Sequence, residues 1–122
     1  LKIAMTHFTW SPEGEATDRQ RRDIKRLLKS LDGLGEFIVC GDFNAPRDGE
    51  IWNELSQKYK DNIPLEVKTT IDPDLHRGGA LQLVVDGLFS TLKYKVSDVK
   101  VISGISDHMA VVGMVECEGN DK

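Results

Sequence analysis

Two apolar segments with an amphipathic helix between them constrain this chain more than any other feature. Residues 2 to 8 alternate loosely around Ile3, Met5 and Phe8, as a strand does. A loop, "WSPEGEA", leads to Thr17, which is placed as an N-cap with Gln20 three positions on in capping-box spacing. Ile24, Leu27, Leu28 and Leu31 then recur at i, i+3, i+4 and i+7, one apolar stripe on a helix whose other face is rich in Arg and Lys. Gly33 and Gly35 close that helix, and Phe37 to Cys40 read as the next strand. Asp48 is placed to cap a second, shorter helix carrying Ile51, Trp52, Leu55 and Tyr59 on one face. Three more strands follow, Leu81 to Phe89, Val96 to Ile102 and Met109 to Val115. Strand, helix, strand, helix and then strands predict an α/β layered domain, with helices packed on a mixed sheet.

At 122 residues the chain suits one domain, and 39% hydrophobic with 30% charged residues is a globular composition. No apolar run approaches the roughly 20 residues that span a bilayer, and residues 1 to 10 lack a signal-peptide layout. Leu1 is not an initiator methionine and Lys2-Ile3-Ala4-Met5 already reads as a strand, so the chain is expected to begin in mid-fold. Two cysteines, Cys40 inside a strand and Cys117 near the end, are too few for a disulfide framework and point to a reducing, cytoplasmic-type compartment. A net charge of −4 argues against affinity for duplex DNA driven by bulk charge. The 7% aromatic content disfavours a platform for stacking single strands.

Four places share one grammar, in which an apolar strand runs out and a polar residue stands at its end. They are His7 in "AMTHFTW", Asp42 and Asn44 in "VCGDFNA", Asp86 in "QLVVDGLFS", and Asp107 with His108 in "GISDHMAVV". Ligand sites of layered α/β proteins collect at such ends. Each has a bland explanation alone: a satisfied histidine, a cap or turn around Asp-x-Asn, a strand-end aspartate, a simple loop. Asp86 is the exception, because its apolar flanks predict burial and an unpaired buried carboxylate is strongly disfavoured. It should have a partner, and histidine is the obvious type. Strand alternation predicts that Asp42 and Asn44 point to the same side while Phe43 packs on the other. Residues 60 to 80 form a long polar stretch, and loops of that length often border a functional site. Within it His76 and Arg77 are candidate substrate contacts, a solvated loop being the equal alternative. "DPDLH" lacks the spacing of a calcium loop and reads as a turn.

Taken in order, Thr6-His7, Gly41-Asp42-Phe43-Asn44, Val85-Asp86-Gly87 and Ser106-Asp107-His108 resemble the endonuclease/exonuclease/phosphatase superfamily with the deoxyribonuclease I-like fold. The likeness runs from His7 to the last strand. It implies half of a four-layer αββα sandwich, a mixed sheet with two helices packed on one face. It also implies hydrolysis of a phosphoester with Mg²⁺ or Mn²⁺, in a family of nucleases, deadenylases, phosphoinositide phosphatases and sphingomyelinases. In that scheme Asp42 readies the attacking water, and Asn44 holds a phosphate oxygen or the geometry at the metal. Asp107 stands close to the metal, His108 contacts the scissile phosphate with Asp86 behind it, and His7 assists at the leaving oxygen. Gly87 is smaller than the residue relatives often carry after the aspartate, which would alter the wall beside His108.

The family's first half carries a metal-binding glutamate at a strand end, a setting unlike those of Glu13, Glu15 and Glu50. The chain is therefore expected to be a single partial domain, 1–122, the C-terminal half, weakly active or inactive alone. Its uncovered sheet face would recruit the missing N-terminal half or a second copy as a homodimer. Two rivals stand against an enzyme: a catalytically silent binding or assembly module, and a plain structural domain in which these six residues would be scattered.

Overall fold

The computed structural model describes residues 1–12, 14–79 and 81–117. Strand β1 (Ile3–His7) leads through a loop to helix α1 (Asp18–Asp32), then strand β2 (Ile38–Asp42) and helix α2 (Glu50–Ser56). Four strands follow, β3 (Lys60–Asp61), β4 (Asp86–Ser90), β5 (Tyr94–Ile102) and β6 (Ala110–Cys117). The first sheet runs β1-β2-β4-β3, with β1 parallel to β2 and β4 antiparallel to both neighbours, and β5-β6 make a separate antiparallel pair. The fold is α/β with a mixed sheet. Among the described residues no helix is long and apolar enough to cross a membrane.

Helix α1 starts where its cap predicts. Thr17 is extended and its hydroxyl accepts the Gln20 N–H at 3.1 Å, a cap of the kind that contributes about 1 kcal/mol. Ile24, Leu28 and Leu31 are buried along the predicted stripe. They pack with Ile51, Trp52 and Leu55 of α2 against Phe37, Val39, Phe43 and Phe89. Phe43 stands edge-on to both Trp52 and Phe89, with ring centroids 6.1 and 5.6 Å apart. Both helices therefore cover one face of the sheet. Alternation sends Ile38, Cys40 and Asp42 to the opposite face, where Tyr94 and Val96 of the hairpin bury Ile38. That face stays open towards Asp42, where Ile3 and Met5 on β1 are exposed.

Three boundaries and one strand pairing differ from the sequence expectation. β2 runs on through Gly41 to Asp42, two residues past the expected end at Cys40, so Gly41 lies inside the ladder. The cap of α2 is Gly49 with no side-chain hydrogen bond, because Asp48 adopts a left-handed φ of 72° one residue earlier. β4 begins at Asp86, since residues 81–85 bond irregularly: Leu83, Val84 and Val85 give their carbonyls to the N–H groups of Thr70, Arg47 and Phe43. Finally, β5 and β6 pair with each other and do not extend the first sheet. Gly87 is also placed differently from the expected substrate wall. It faces the helices, where a Cβ would come within 2.8 Å of the Phe89 ring and 2.9 Å of the Phe43 ring.

Candidate functional site

Register builds the site. His7 pairs with Asp42 across the parallel β1–β2 ladder, and Asp42 pairs with Asp86 across the antiparallel β2–β4 ladder. Because β4 is antiparallel, its first residue lies beside the last residue of β2. Asp86 thus opens its strand and still reaches the end where Asp42 closes one. Alternation places the three side chains in a row on the open face.

The last loop supplies the fourth member. Residues 70–72 run antiparallel to 107–109: Asp72 N–H donates to the Asp107 carbonyl at 2.9 Å and Met109 N–H to the Thr70 carbonyl at 2.7 Å, with a bridge between Ile71 and His108. His108 is so carried over the row. Its Nδ1 lies 2.8 Å from Asp86 Oδ2, and its Nε2 lies 3.7 Å from Asp42 Oδ2. On the other side His7 Nε2 also lies 3.7 Å from Asp42 Oδ2. One carboxylate oxygen stands between two imidazoles.

The electrostatics follow from burial and pairing. Burial pushes the Asp86 carboxyl above its ordinary value, partly offset by hydrogen bonds from His108 and Thr70. His108 is drawn down by burial, but the Asp86 hydrogen bond and the charges of Asp86, Asp42 and Asp107 outweigh this and raise it. Asp86 fixes the tautomer: with the Nδ1 proton held by a carboxylate, Nε2 is the nitrogen left to face a ligand. The second oxygen of Asp42, Oδ1, accepts the Asn44 N–H at 2.8 Å, which orients the carboxylate.

Asn44 departs from the alternation argument. The strand has ended at Asp42, Asn44 has a φ of 47°, and its Nδ2 donates to the Phe8 carbonyl at 2.6 Å. It is held beside Asp42 by a turn, not by strand periodicity. Asp107 and His76 stand with His108 in a second cluster whose ligand atoms lie within 4.8 Å of one another, and Asp42, Asp86 and His108 form a first cluster of the same kind. His108 belongs to both. Arg77 is exposed in the turn after His76. Glu50 is engaged by Arg21 at 2.7 Å, and Glu13 lies outside the described residues.

Three positioning residues carry no clear signal in the sequence. Buried Thr70 accepts the N–H groups of Val85 and Asp86 at 3.0 and 3.1 Å on one hydroxyl oxygen. Buried Asp72 accepts the Gly104 N–H at 2.8 Å and those of Asp74 and Leu75, tying the long loop to the last one. Gln20 has the spacing of a cap partner, yet its Nε2 donates to the Thr9 and Asn44 carbonyls at 2.7 and 3.0 Å. Helix α1 is thereby fastened to both site loops.

Two hollows adjoin the row. One, of about 320 Å³, runs along the open face beneath Asp42 and Asp86 and is lined by Ile3, Ile38, Cys40, Leu88, Val111 and Val115 among others. The other, of about 370 Å³, opens from Asn44, His76 and His108 towards Trp10.

No family model and no curated protein matches the chain. Solved structures do. A mannosyl-6-phosphatase of Bacteroides thetaiotaomicron VPI-5482 superposes with a TM-score of 0.58 at 17% identity, over 84% of this chain and 48% of that one. An endonuclease/exonuclease/phosphatase family protein from Bacteroides thetaiotaomicron gives 0.55 at 16% identity, over 83% and 46%. The chain has the fold of these proteins and spans about half their length.

Proposed function

We propose that the chain is a member of the endonuclease/exonuclease/phosphatase superfamily and forms one half, residues 1–122, of a divalent-metal-dependent phosphoester hydrolase. The observation that carries this reading is the row His7, Asp42, Asp86 with His108 set across it at 2.8 and 3.7 Å. Each residue then has a task its surroundings suit. Asp42, oriented through Oδ1, presents Oδ2 as the acceptor for a proton of the attacking water. As the new P–O bond forms, the bond to the leaving alcohol breaks, and that oxygen takes a proton passed to it by the His7 ring. His108 Nε2 donates to a non-bridging phosphate oxygen while Asp86 holds the opposite ring nitrogen.

The donor set fits a hard cation. The carboxylates of Asp42 and Asp107 and the amide oxygen of Asn44 are the oxygen ligands that Mg²⁺ or Mn²⁺ prefers, and such ions use one or two carboxylates plus the substrate phosphate. Bound there, the ion would neutralise phosphate charge. The fold likeness to a mannosyl-6-phosphatase and to an endonuclease/exonuclease/phosphatase family protein supports this class of chemistry without choosing among its substrates.

The test is hydrolysis of p-nitrophenyl phosphate and bis-p-nitrophenyl phosphate with Mg²⁺ and with EDTA by the protein that carries both halves of the sandwich, alongside nuclear magnetic resonance of the chain titrated with Mn²⁺. Turnover should require the metal and fall roughly 10²–10⁴-fold in Asp42→Ala and in His108→Ala, and Mn²⁺ should broaden the His108 ring signals first. Turnover unchanged in both variants, or broadening spread evenly over the surface, would reject the assignment.

The open face favours a second role beside the first. Ile3 is 58% and Met5 79% exposed on the face that carries the site. An exposed apolar sheet face of this kind recruits a partner. We assign that place to a second layer, from the other half of the sandwich or from a second copy of the chain. A monomeric mass at micromolar concentration rejects the second-copy form.

A further inference from the structure

We infer that the hollow beside His108 selects the alcohol half of the phosphoester: an uncharged ring lying against Trp10, on a substrate with a single phosphate. This rests on the phosphoester reading above and deepens it.

Three observations carry it. First, every other aromatic ring of the chain (Phe8, Phe37, Phe43, Phe89, Trp52, Tyr59 and Tyr94) is buried, whereas Trp10 is 69% exposed. An indole left in water at the edge of the site is an apolar surface with no internal partner, and it lines the same hollow as Asn44 and His108. Second, apart from Ser11, Asn44, His76 and His108 the lining is apolar, with Ile71, Leu83, Val85 and two prolines, and among the described residues it contains no Lys or Arg. A second phosphate would enter without a counter-charge. The dense cation run of α1 lies behind the sheet, on the helix-covered face, and Arg47 is turned to the Ile63 and Pro64 carbonyls at 2.7 and 3.1 Å. A nucleic-acid backbone needs cations along its path, and the described residues of this hollow offer it no Lys or Arg.

Third, the size is right. An apolar cavity of about 150 Å³ takes benzene, so about 370 Å³ accommodates a substituted ring. His76 adds the means to orient one. The Gly78 N–H donates to its Nδ1 at 2.8 Å, so the proton of the neutral ring sits on Nε2 as a donor for a ring hydroxyl or nitrogen. The same ring stands edge-on to His108 with centroids 6.0 Å apart, which places it against the imidazole that faces the phosphate.

Phenyl phosphate, mannose 6-phosphate and methyl phosphate carry one dianion on three alcohols, and their binding to the chain can be compared by calorimetry, with Trp10 emission as a second readout. At least one ring ester should bind roughly tenfold tighter than methyl phosphate, which lies within the range that stacking on an aromatic contributes. Trp10→Ala should bring the ratio to within about twofold. Which ring ester wins distinguishes a flat aryl group from a sugar. A ratio near one in the parent protein, an unchanged ratio in Trp10→Ala, or displacement of the ring ester by a short oligonucleotide at lower concentration overturns the inference. If none of the three esters binds, the phosphoester reading fails with it. If all bind equally, that reading stands and only the ring preference falls.

Discussion

Gly41→Ala should be the most damaging small substitution in this chain, and its cost can be worked from the ladder. Gly41 has a φ of 142° and a Cβ built on it would lie 1.8 Å from the Thr6 carbonyl oxygen. Ordinary contact begins near 3.4 Å, so β1 would have to retreat by about 1.6 Å from the strand it pairs with (3.4 minus 1.8). A retreat of that size breaks N–H···O bonds formed near 2.9 Å. Losing two or three of them costs about 2–4 kcal/mol, and the strained φ adds about 1–3 kcal/mol. The total is about 3–7 kcal/mol, against a typical domain stability of about 5–15 kcal/mol. Gly35→Ala is the internal control. Gly35 also has a positive φ, 77°, but nothing lies within 4 Å of its Cβ, so only the backbone term remains, about 1–2 kcal/mol. Equilibrium urea unfolding at 25 °C should separate the two variants by about 1 M or more in midpoint, given slopes of about 1–3 kcal/mol/M. Because Thr6 precedes His7, Gly41→Ala should also loosen the 3.7 Å approach of His7 to Asp42. Equal midpoints for the two variants would refute the claim that Gly41 is required by the close approach of β1.

Three further outcomes are expected. Asp86→Asn removes the charge and acceptor that outweigh burial at His108, so the His108 pKa should fall, read from its Cε1 proton shift; a rise would exclude the pairing. His108 is raised in the folded chain, so its contribution to stability is complete below 6.5 and is lost as pH climbs through the folded value; the urea midpoint of the parent should drop across that window more than that of Asp86→Asn. Gly87→Ala should destabilise by about 1–3 kcal/mol through overpacking, since its Cβ would press on the Phe43 and Phe89 rings; an unchanged urea midpoint would place Gly87 outside the core. Asp72 is held low by the N–H groups of Gly104 and Asp74, so Asp72→Ala should speed amide exchange at Gly104 and abolish a loss of stability seen in the parent as pH falls through the lowered value; unaltered exchange would mean the two loops hold together without it.

What the sequence disclosed divides by range. The α1 stripe, its Thr17 cap and the burial of Phe43 are local patterns, legible because a 3.6-residue or two-residue period is written in neighbouring positions. The need of Asp86 for a partner was legible too, since apolar flanks announce burial, and His108 stands 2.8 Å from it. The position of Asn44 was not, because alternation holds only while the strand lasts and β2 stops at Asp42. The start of β4 was missed for a related reason: "LQLVV" has the composition of a strand, but its carbonyls bond to two separate segments, residues 43–47 and Thr70, in an irregular pattern. Thr70, Asp72 and the side chain of Gln20 act through partners 11 to 32 positions away, in loops whose approach no local pattern encodes.

The two faces of the first sheet divide stability from chemistry, and the division is only one residue deep. Phe37, Val39, Phe43 and Phe89 bury against the helices. Asp42, next to Phe43, and its ladder partner Asp86 look out on the open face. A register slip of one residue between β2 and β4 would exchange the two sets, burying carboxylates under α1 and α2 and presenting aromatic rings to the site. The cost of that exchange keeps the register in place, so the helix-side core fixes the spacing of the row without touching it. Substitutions that trim the core while keeping its pattern, such as Val39→Ala, should therefore lower stability and leave the His108–Asp86 contact intact. Substitutions in the row should do the reverse, changing proton affinity and ligand binding, with little cost to the urea midpoint once the pH lies above the value at which folded His108 loses its proton. A core substitution that shifted the His108 titration as far as Asp86→Asn does would break this separation.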